Sequence, residues 1–211
     1  MAEPVKGLSR RDKAEATRRK ILRAAHEAFI AQGYGGATIT DIARRAGVAP
    51  QTVYFTFHTK PALISAAIDL AVLGEETPTI PQQTDWWAAM ARAERADEAL
   101  RIFIQGAGSL FARASQLSEV LRAAALTDEE LQRTYRHHES LRRSGYREVI
   151  ELLATKGRLR AGLDPGAAVD LLLTLVGDAT YQALTSEHGW THERVIAWWS
   201  EAVPGLLFGE G

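Results

Sequence analysis

Residues 33–63 constrain this 211-residue chain more than any other stretch, because they specify two short helices around a tight glycine turn. The hydroxyl of Thr38 is placed to cap a helix, and Asp41, three residues on, is placed to reach back to the cap's N–H as in a capping box. Ile42, Ala43 and Ala46 give that helix a small apolar face, and Gly47 supplies the left-handed residue that ends it after about two turns. Pro50 then opens a second helix, since its fixed φ is already helical and its missing N–H had no partner to lose.

At roughly 100° per residue, Val53 and Phe57 share one face of the second helix and turn inward. Gln51, Thr52 and Phe55 are left on the opposite face, with Tyr54 and Thr56 on the flanks. An exposed Phe requires an apolar partner. A thymine methyl suits it, a Gln amide pairs with adenine, and Tyr and Thr hydroxyls reach phosphates. Thr38, Thr40, Pro50 and Lys60 border the same face. Caps and turns alone would equally describe an ordinary helical hairpin; the outward Gln/Thr/Tyr/Phe set points to a helix-turn-helix that reads duplex DNA.

The run Thr52-Val53-Tyr54-Phe55-Thr56-Phe57-His58-Thr59-Lys60 resembles the DNA-reading unit of the TetR family of transcriptional regulators. The resemblance extends upstream through Thr17-Arg18-Arg19-Lys20-Ile21-Leu22, Ala25, Phe29, Gly33 and Tyr34, and covers about the first third of the chain. Ala49 stands where the family usually has a capping Ser, which loses a cap of about 1 kcal/mol. Pro61 stands where it usually has Glu, and a first-turn proline is compatible with a fourth helix. The resemblance implies a regulator, expected to be a ligand-responsive repressor, that dimerises through its last two helices, binds a double-stranded operator and takes a small-molecule effector in a helical body.

Charge divides the chain in the same place. Residues 1–60 hold eleven Lys and Arg against five Asp and Glu, a balance of +6, while the remainder holds fourteen against twenty-one, a balance of −7. A basic head on an acidic body suits phosphate contact by the head alone. Arg10, Arg11 and Lys13 are expected ahead of the first helix, as an arm suited to the minor groove. The chain has no cysteine, so disulfides and thiolate metal sites are excluded. Its charged N-terminus and the lack of any apolar run near eighteen residues point to a cytoplasmic protein with no membrane partner.

The fold expected is all-α: a three-helix helix-turn-helix head with its arm, residues 1–60, on a larger helical body for effector binding and dimerisation, residues 61–211, about nine helices in all. A periodic helix ends near Gly74, and a linker is expected over residues 75–84. A Trp-rich helical turn follows from Asp85, then helices over about 97–114 and 117–125. A long one over 127–156 is expected to start at a Thr127/Glu130 capping box and to pair Glu139 with Arg143.

Asp164-Pro165 opens a helix expected to run through Leu184, and Thr191 caps the last one. Both are apolar over most of their circumference, so they need cover on two sides. Either they are central in one protomer, or a second copy covers Leu171, Leu175, Val195, Trp198, Trp199, Ala202 and Leu206; the second is the economical source. Trp86, Trp87, Phe103, Phe111, Tyr135, His138, Tyr146 and Tyr181 are the candidates to line an effector cavity, although aromatics at helical spacing usually fill a core. No enzyme is expected. His138 lacks a ligand one turn away, since 134 is Thr and 142 is Arg, and no phosphate loop or nucleophile elbow occurs, so no metal or cofactor is implied. Two other readings stay open: a non-specific architectural DNA-binding protein, and a helical ligand-binding protein without DNA affinity.

Overall fold

The computed structural model describes residues 9–74 and 79–209. Ten α-helices are present among them, and no strand; a single antiparallel bridge joins Leu159 to Phe208. The chain packs as two compact units, Met1–Leu70 and Ala71–Gly211. Part of the expected linker, residues 75–78, lies outside the described residues.

In the first unit, α1 (Arg10–Gly36) starts at a full capping box. The Ser9 hydroxyl accepts from the Asp12 N–H at 3.2 Å, and the Asp12 carboxylate accepts from the Ser9 N–H at 3.0 Å. Arg10, Arg11 and Lys13 therefore lie in the first turn of a helix instead of preceding it, a correction that Ser9 and Asp12, three residues apart, account for. α2 (Ile39–Ala46) is capped by Thr38, which accepts from the Asp41 N–H at 3.1 Å, and is ended by Gly47 at φ 68°. The expected capping box there is only half made. The Asp41 carboxylate accepts instead from Arg45 Nε at 2.7 Å, from Gln32 Nε2 at 3.1 Å and from Arg44. The Arg45 hydrogen bond, followed by that of Gln32, holds Asp41 below the usual carboxylate range.

α3 (Pro50–Phe57) has no side-chain cap at Ala49 and turns Val53 and Phe57 into a core with Ile21, Phe29 and Ile42. α4 (Lys60–Leu73) is capped by Thr59, whose hydroxyl accepts from the Ala62 N–H at 3.1 Å, and it accommodates Pro61 in its first turn. Leu63, Ile64, Ala67 and Ile68 of α4 are buried, so the packing boundary falls after Leu70, within this helix.

In the second unit, a 3₁₀ turn at Pro81–Gln83 leads into α5 (Asp85–Arg92), capped by Thr84. α6 (Ala96–Ala124) is one helix of 29 residues where two were expected. No Gly or Pro separates 114 from 117, and the apolar stripe continues through the buried Ala114, Leu117 and Leu121. The buried Ser115 hydroxyl is satisfied by accepting from Gln182 Nε2 at 2.6 Å. α7 (Glu129–Ala154) is capped by Asp128, which accepts from the Glu130 and Leu131 N–H groups at 2.8 and 3.0 Å. Thr127 was the expected cap, but its hydroxyl donates to the Ala124 carbonyl at 3.5 Å. On the outer face Glu139 pairs with Arg142 at 3.2 Å, and Arg143 reaches Asp170 at 2.6 Å rather than Glu139.

The helix opened by Asp164 does not run through to Leu184. It breaks into α8 (Pro165–Leu175) and α9 (Asp178–Gln182), which continues as a π turn, Ala183–Glu187. Gly177 permits the break, because a Cβ there would lie 2.2 Å from the Leu173 carbonyl oxygen. α7 holds both sides of it: the Tyr146 hydroxyl donates to the Val176 carbonyl, and Arg142 pairs with Asp178 at 2.7 Å. Burial pushes the Tyr146 hydroxyl far above its ordinary pKa, so it remains a donor at any physiological pH. α10 (His192–Leu207), capped by Thr191, packs on α6 and α8.

Two glycines give a paired prediction. In α6, a Cβ at Gly106 would sit 2.2 Å from the Trp86 ring, whereas in α7 one at Gly145 would meet nothing within 4 Å. Gly106→Ala is expected to destabilise by about 1–3 kcal/mol and Gly145→Ala to stabilise by about 0.5–1 kcal/mol, both read by denaturant unfolding.

Candidate nucleic-acid interface

α2 and α3 are both eight residues long, and the turn between them is fixed by Gly47 and by the Val48 N–H donating to the Ala43 carbonyl at 3.0 Å. With Val53 and Phe57 buried, the opposite face of α3 is committed to solvent. Phe55 is 85% exposed, and Gln51 and Tyr54 are exposed beside it. Thr38 and Thr40 at the start of α2 are exposed, while Pro50, Thr52 and Thr56 are half-buried. Thr56 donates to the Thr52 carbonyl at 2.7 Å, so its hydroxyl is already used within the helix.

Lys60 is anchored. Its ammonium lies 4.3 Å from the centre of the Tyr34 ring and donates to the Tyr34 carbonyl, and partial burial lowers its pKa. Sequence spacing alone placed it as a backbone-reaching charge; the structure makes it first a clasp on the end of α1. Arg44, with a side chain 74% exposed on α2, was not among the expected contacts. The adjacent Arg44 and Arg45 immediately before the turn were the signal available for it. Arg18 lies 4.6 Å over the Phe57 ring, so a cation of α1 packs on the inward anchor of α3.

His58 ends α3 at φ 62° and ψ −52°, and the Thr59 N–H donates to the Phe57 carbonyl at 2.7 Å. This is a γ-turn in the strained positive-φ form, and it sets the angle at which the chain leaves α3.

Of the eight residues expected to line an effector cavity, Phe103, Phe111, Tyr146 and Tyr181 share one core cluster, with Trp86 and Trp87 packed against it. Phe103 packs edge-on with Tyr146 at 5.3 Å and with Trp86 at 6.2 Å, and Trp86 contacts Trp87. Phe111 and Tyr181 instead stack at 5.9 Å and enclose Trp199. Tyr135 and His138 are half-buried nearer the start of α7. Phe103, Phe111, Tyr146 and Tyr181 are buried as core. A cleft of about 1190 Å³ in this unit is lined by none of the eight.

The expected dimer residues separate by face. Leu171, Trp198 and Leu206 are 39%, 38% and 42% exposed, and Leu175 and Ala202 are half-buried. Val195 and Trp199 are 0% exposed and belong to the protomer's own core, which corrects their assignment to an intersubunit surface. The Trp199 indole N–H is buried with no acceptor among the described residues. Among those residues, no group of three or more His, Cys, Asp or Glu could hold a metal ion, and no helix is long and apolar enough to cross a membrane.

The sequence model described as bacterial regulatory proteins, tetR family, matches residues 21–67, the span from α1 through most of α4. The HTH-type transcriptional regulator SrpR of Pseudomonas putida is 29% identical over 175 residues, 82% of this chain and 78% of SrpR. Residues 21–67 therefore form a head of the TetR type. SrpR is an HTH-type transcriptional regulator, and α2 and α3 of this chain form a helix-turn-helix within the matched residues. Solved structures share the TetR fold across both units. NalD, the secondary repressor of the MexAB-OprM multidrug efflux pump in Pseudomonas aeruginosa, aligns with a TM-score of 0.66 at 22% identity, covering 94% of this chain and 100% of NalD. FadR from Bacillus subtilis, solved with stearoyl-CoA, aligns with a TM-score of 0.68 at 19% identity, covering 91% and 98%.

Because His58 holds a backbone conformation that suits glycine, His58→Gly is expected to raise stability by about 0.5–1 kcal/mol. A fall in denaturation midpoint would show that the His58 side chain, not the turn, is what matters there.

Proposed function

We propose that this chain is a TetR-type transcriptional regulator, a ligand-responsive repressor acting in the cytoplasm as a homodimer on a pseudo-palindromic operator. The observation that carries the DNA reading is Phe55, 85% exposed at the centre of a polar helix face whose reverse side is locked into a core. A large apolar ring left in water on so short a helix is accounted for by an apolar surface such as a thymine methyl. Gln51 and Thr52 flank it for base edges, and Thr38, Thr40, Pro50 and Tyr54 surround it for phosphate and flanking contacts, while Thr56 and Lys60 border the face with their polar groups already engaged by Thr52 and Tyr34. Residues 1–60 supply this reading head, and residues 61–211 supply effector binding and dimerisation.

The outward Leu171, Trp198 and Leu206, with Leu175 and Ala202 beside them, offer an apolar patch to a second copy. Two heads about 34–36 Å apart then meet successive major grooves. The effector reading is supported by the unpartnered Trp199 N–H beside Phe111 and Tyr181, since a buried donor without an acceptor costs about 1–3 kcal/mol that a polar ligand atom would recover. NalD is a repressor and FadR was solved with stearoyl-CoA; a repressor released by an apolar effector is the corresponding reading for this chain. Release requires only that the ligand bind two head spacings with different affinity.

Selection from random duplexes tests the DNA reading, with enrichment of one palindrome as the expected result. No enriched sequence would indicate an architectural protein, and no duplex shift at low salt a ligand-binding protein without DNA affinity. On the selected operator, Gln51→Ala is expected to relax preference at one base position, and Phe55→Ala to weaken binding by about 1–3 kcal/mol. Both should leave the unfolding midpoint essentially unchanged. Trp198→Asp is expected to convert the dimer to monomer in sedimentation velocity and to lower operator affinity; a dimer that survives it would place the interface elsewhere.

A further inference from the structure

We propose that the cleft between the start of α6, the α7–α8 connection and the end of α10 is a second small-molecule site, which takes a nucleotide-sized organic phosphate. It lies apart from the aromatic cluster of the effector reading. Five cations line it, Arg95, Arg101, Lys156, Arg158 and Arg160, against two carboxylates, Asp97 and Glu201. Residues 61–211 carry an acidic balance and only fourteen Lys and Arg, so one cleft takes five of them. Like charges dispersed over an acidic surface would be better solvated and less repulsive, and their concentration calls for an anion.

Three of the five cations are held in place. Asp97 accepts from Arg95 Nε and Nη2 at 2.9 Å each and from Arg101 Nη1 at 2.7 Å, and Arg101 Nε donates to the Ser200 carbonyl at 3.2 Å. Those two guanidiniums keep the Asp97 carboxylate ionised far below its usual range, so the clasp persists at any pH near neutral. Lys156 Nζ donates to the Ala91 and Ala93 carbonyls at 2.8 and 2.7 Å, closing the end of α5.

Arg158 and Arg160 have no ion-pair partner among the described residues, yet their backbone is pinned. The Arg160 N–H donates to the Leu207 carbonyl at 2.9 Å, and Leu159 pairs with Phe208. Two unpaired guanidiniums on a fixed segment suit bidentate phosphate contact. The N-cap of the 29-residue α6 is Arg95, which makes no side-chain cap, so the first-turn N–H groups add to the same positive potential. Leu159, Pro204 and Phe208 provide an apolar wall for the rest of the molecule. At about 1190 Å³ the cleft far exceeds a lone phosphate ion and accommodates a nucleotide or sugar phosphate.

The test is titration calorimetry of the full chain with ADP and with pyrophosphate at low salt. Saturable binding of ADP is expected. An Arg158→Ser/Arg160→Ser double variant should weaken it at least tenfold, an Arg158→Lys/Arg160→Lys pair should recover part of the loss, and Arg133→Ser on α7 should change nothing. Duplex binding by the double serine variant should be unaltered. Absence of saturable ADP or pyrophosphate heat in the wild type would overturn the proposal, as would equal ADP affinity in the double variant. A parallel loss of duplex binding would overturn it in favour of a nucleic-acid surface.

Discussion

An isolated helix of eight residues has almost no stability in water, since nucleation costs more than two turns of hydrogen bonds return. Both α2 and α3 are of that length, and α3 lacks even a side-chain cap. The orientation of the outward face therefore rests on the burial of Val53 and Phe57, with α3 packed on α2 and Arg18 of α1 over the Phe57 ring. Burying those two side chains contributes roughly 3–6 kcal/mol by apolar area, several times what Thr38 contributes as a cap. The same burial forces Gln51 and Phe55 outward. Exposure of the outward face of α3 and stability of the head thus follow from one packing event, and neither can be altered independently at Val53 or Phe57.

The second unit is organised around α6, which packs on α5, α7, α9 and α10. So many neighbours require small residues along its length, and Ala99, Ala107 and Ala114 are buried while Gly106 admits the Trp86 ring. The break at Gly177 is the complementary device. It lets the chain after α8 fold back so that Tyr181 reaches Phe111 and Gln182 reaches Ser115, contacts that an unbroken helix through Leu184 would carry away from α6.

What could be read from the sequence is what is local. Thr38 as cap, Gly47 as the left-handed terminator, Pro50 as the first residue of α3, and Asp164 and Thr191 as caps all involve partners within four residues, and the structure has each of them. The inward and outward faces of α3 were legible because only two apolar positions define its phase. Where a helix is apolar over most of its circumference, as in α10, periodicity supplies no sharp phase, so the buried Val195 and Trp199 are not distinguishable by spacing from the partly exposed Trp198. Competition between nearby donors and acceptors was also illegible: Asp41 is drawn to Arg45, Arg44 and Gln32, and Lys60 to Tyr34, by contacts whose geometry the spacing does not encode. The basic cleft is the extreme case, since its walls come from residues near 95, 158 and 204, sequence separations at which no motif exists.

Trp198 and Trp199 show how one helix can serve two surfaces. Adjacent side chains diverge by about 100° on a helix. Trp199 is enclosed by Phe111 and Tyr181, while Trp198 meets Trp190 at 5.9 Å on the outer side and remains 38% exposed. A close-packed interior does not deform smoothly, so a molecule inserted beside Phe111 and Tyr181 must displace Trp199 and with it the helix that carries Trp198 and Leu206. Rotation or tilt of α10 changes the apolar face that a second copy would meet. Under the proposed dimer and effector site, no separate relay is needed between them, because both would bear on the same turns of α10. The unpartnered indole N–H of Trp199 sits at that junction, where a polar ligand atom would gain a hydrogen bond in one arrangement of the helix and lose it in the other.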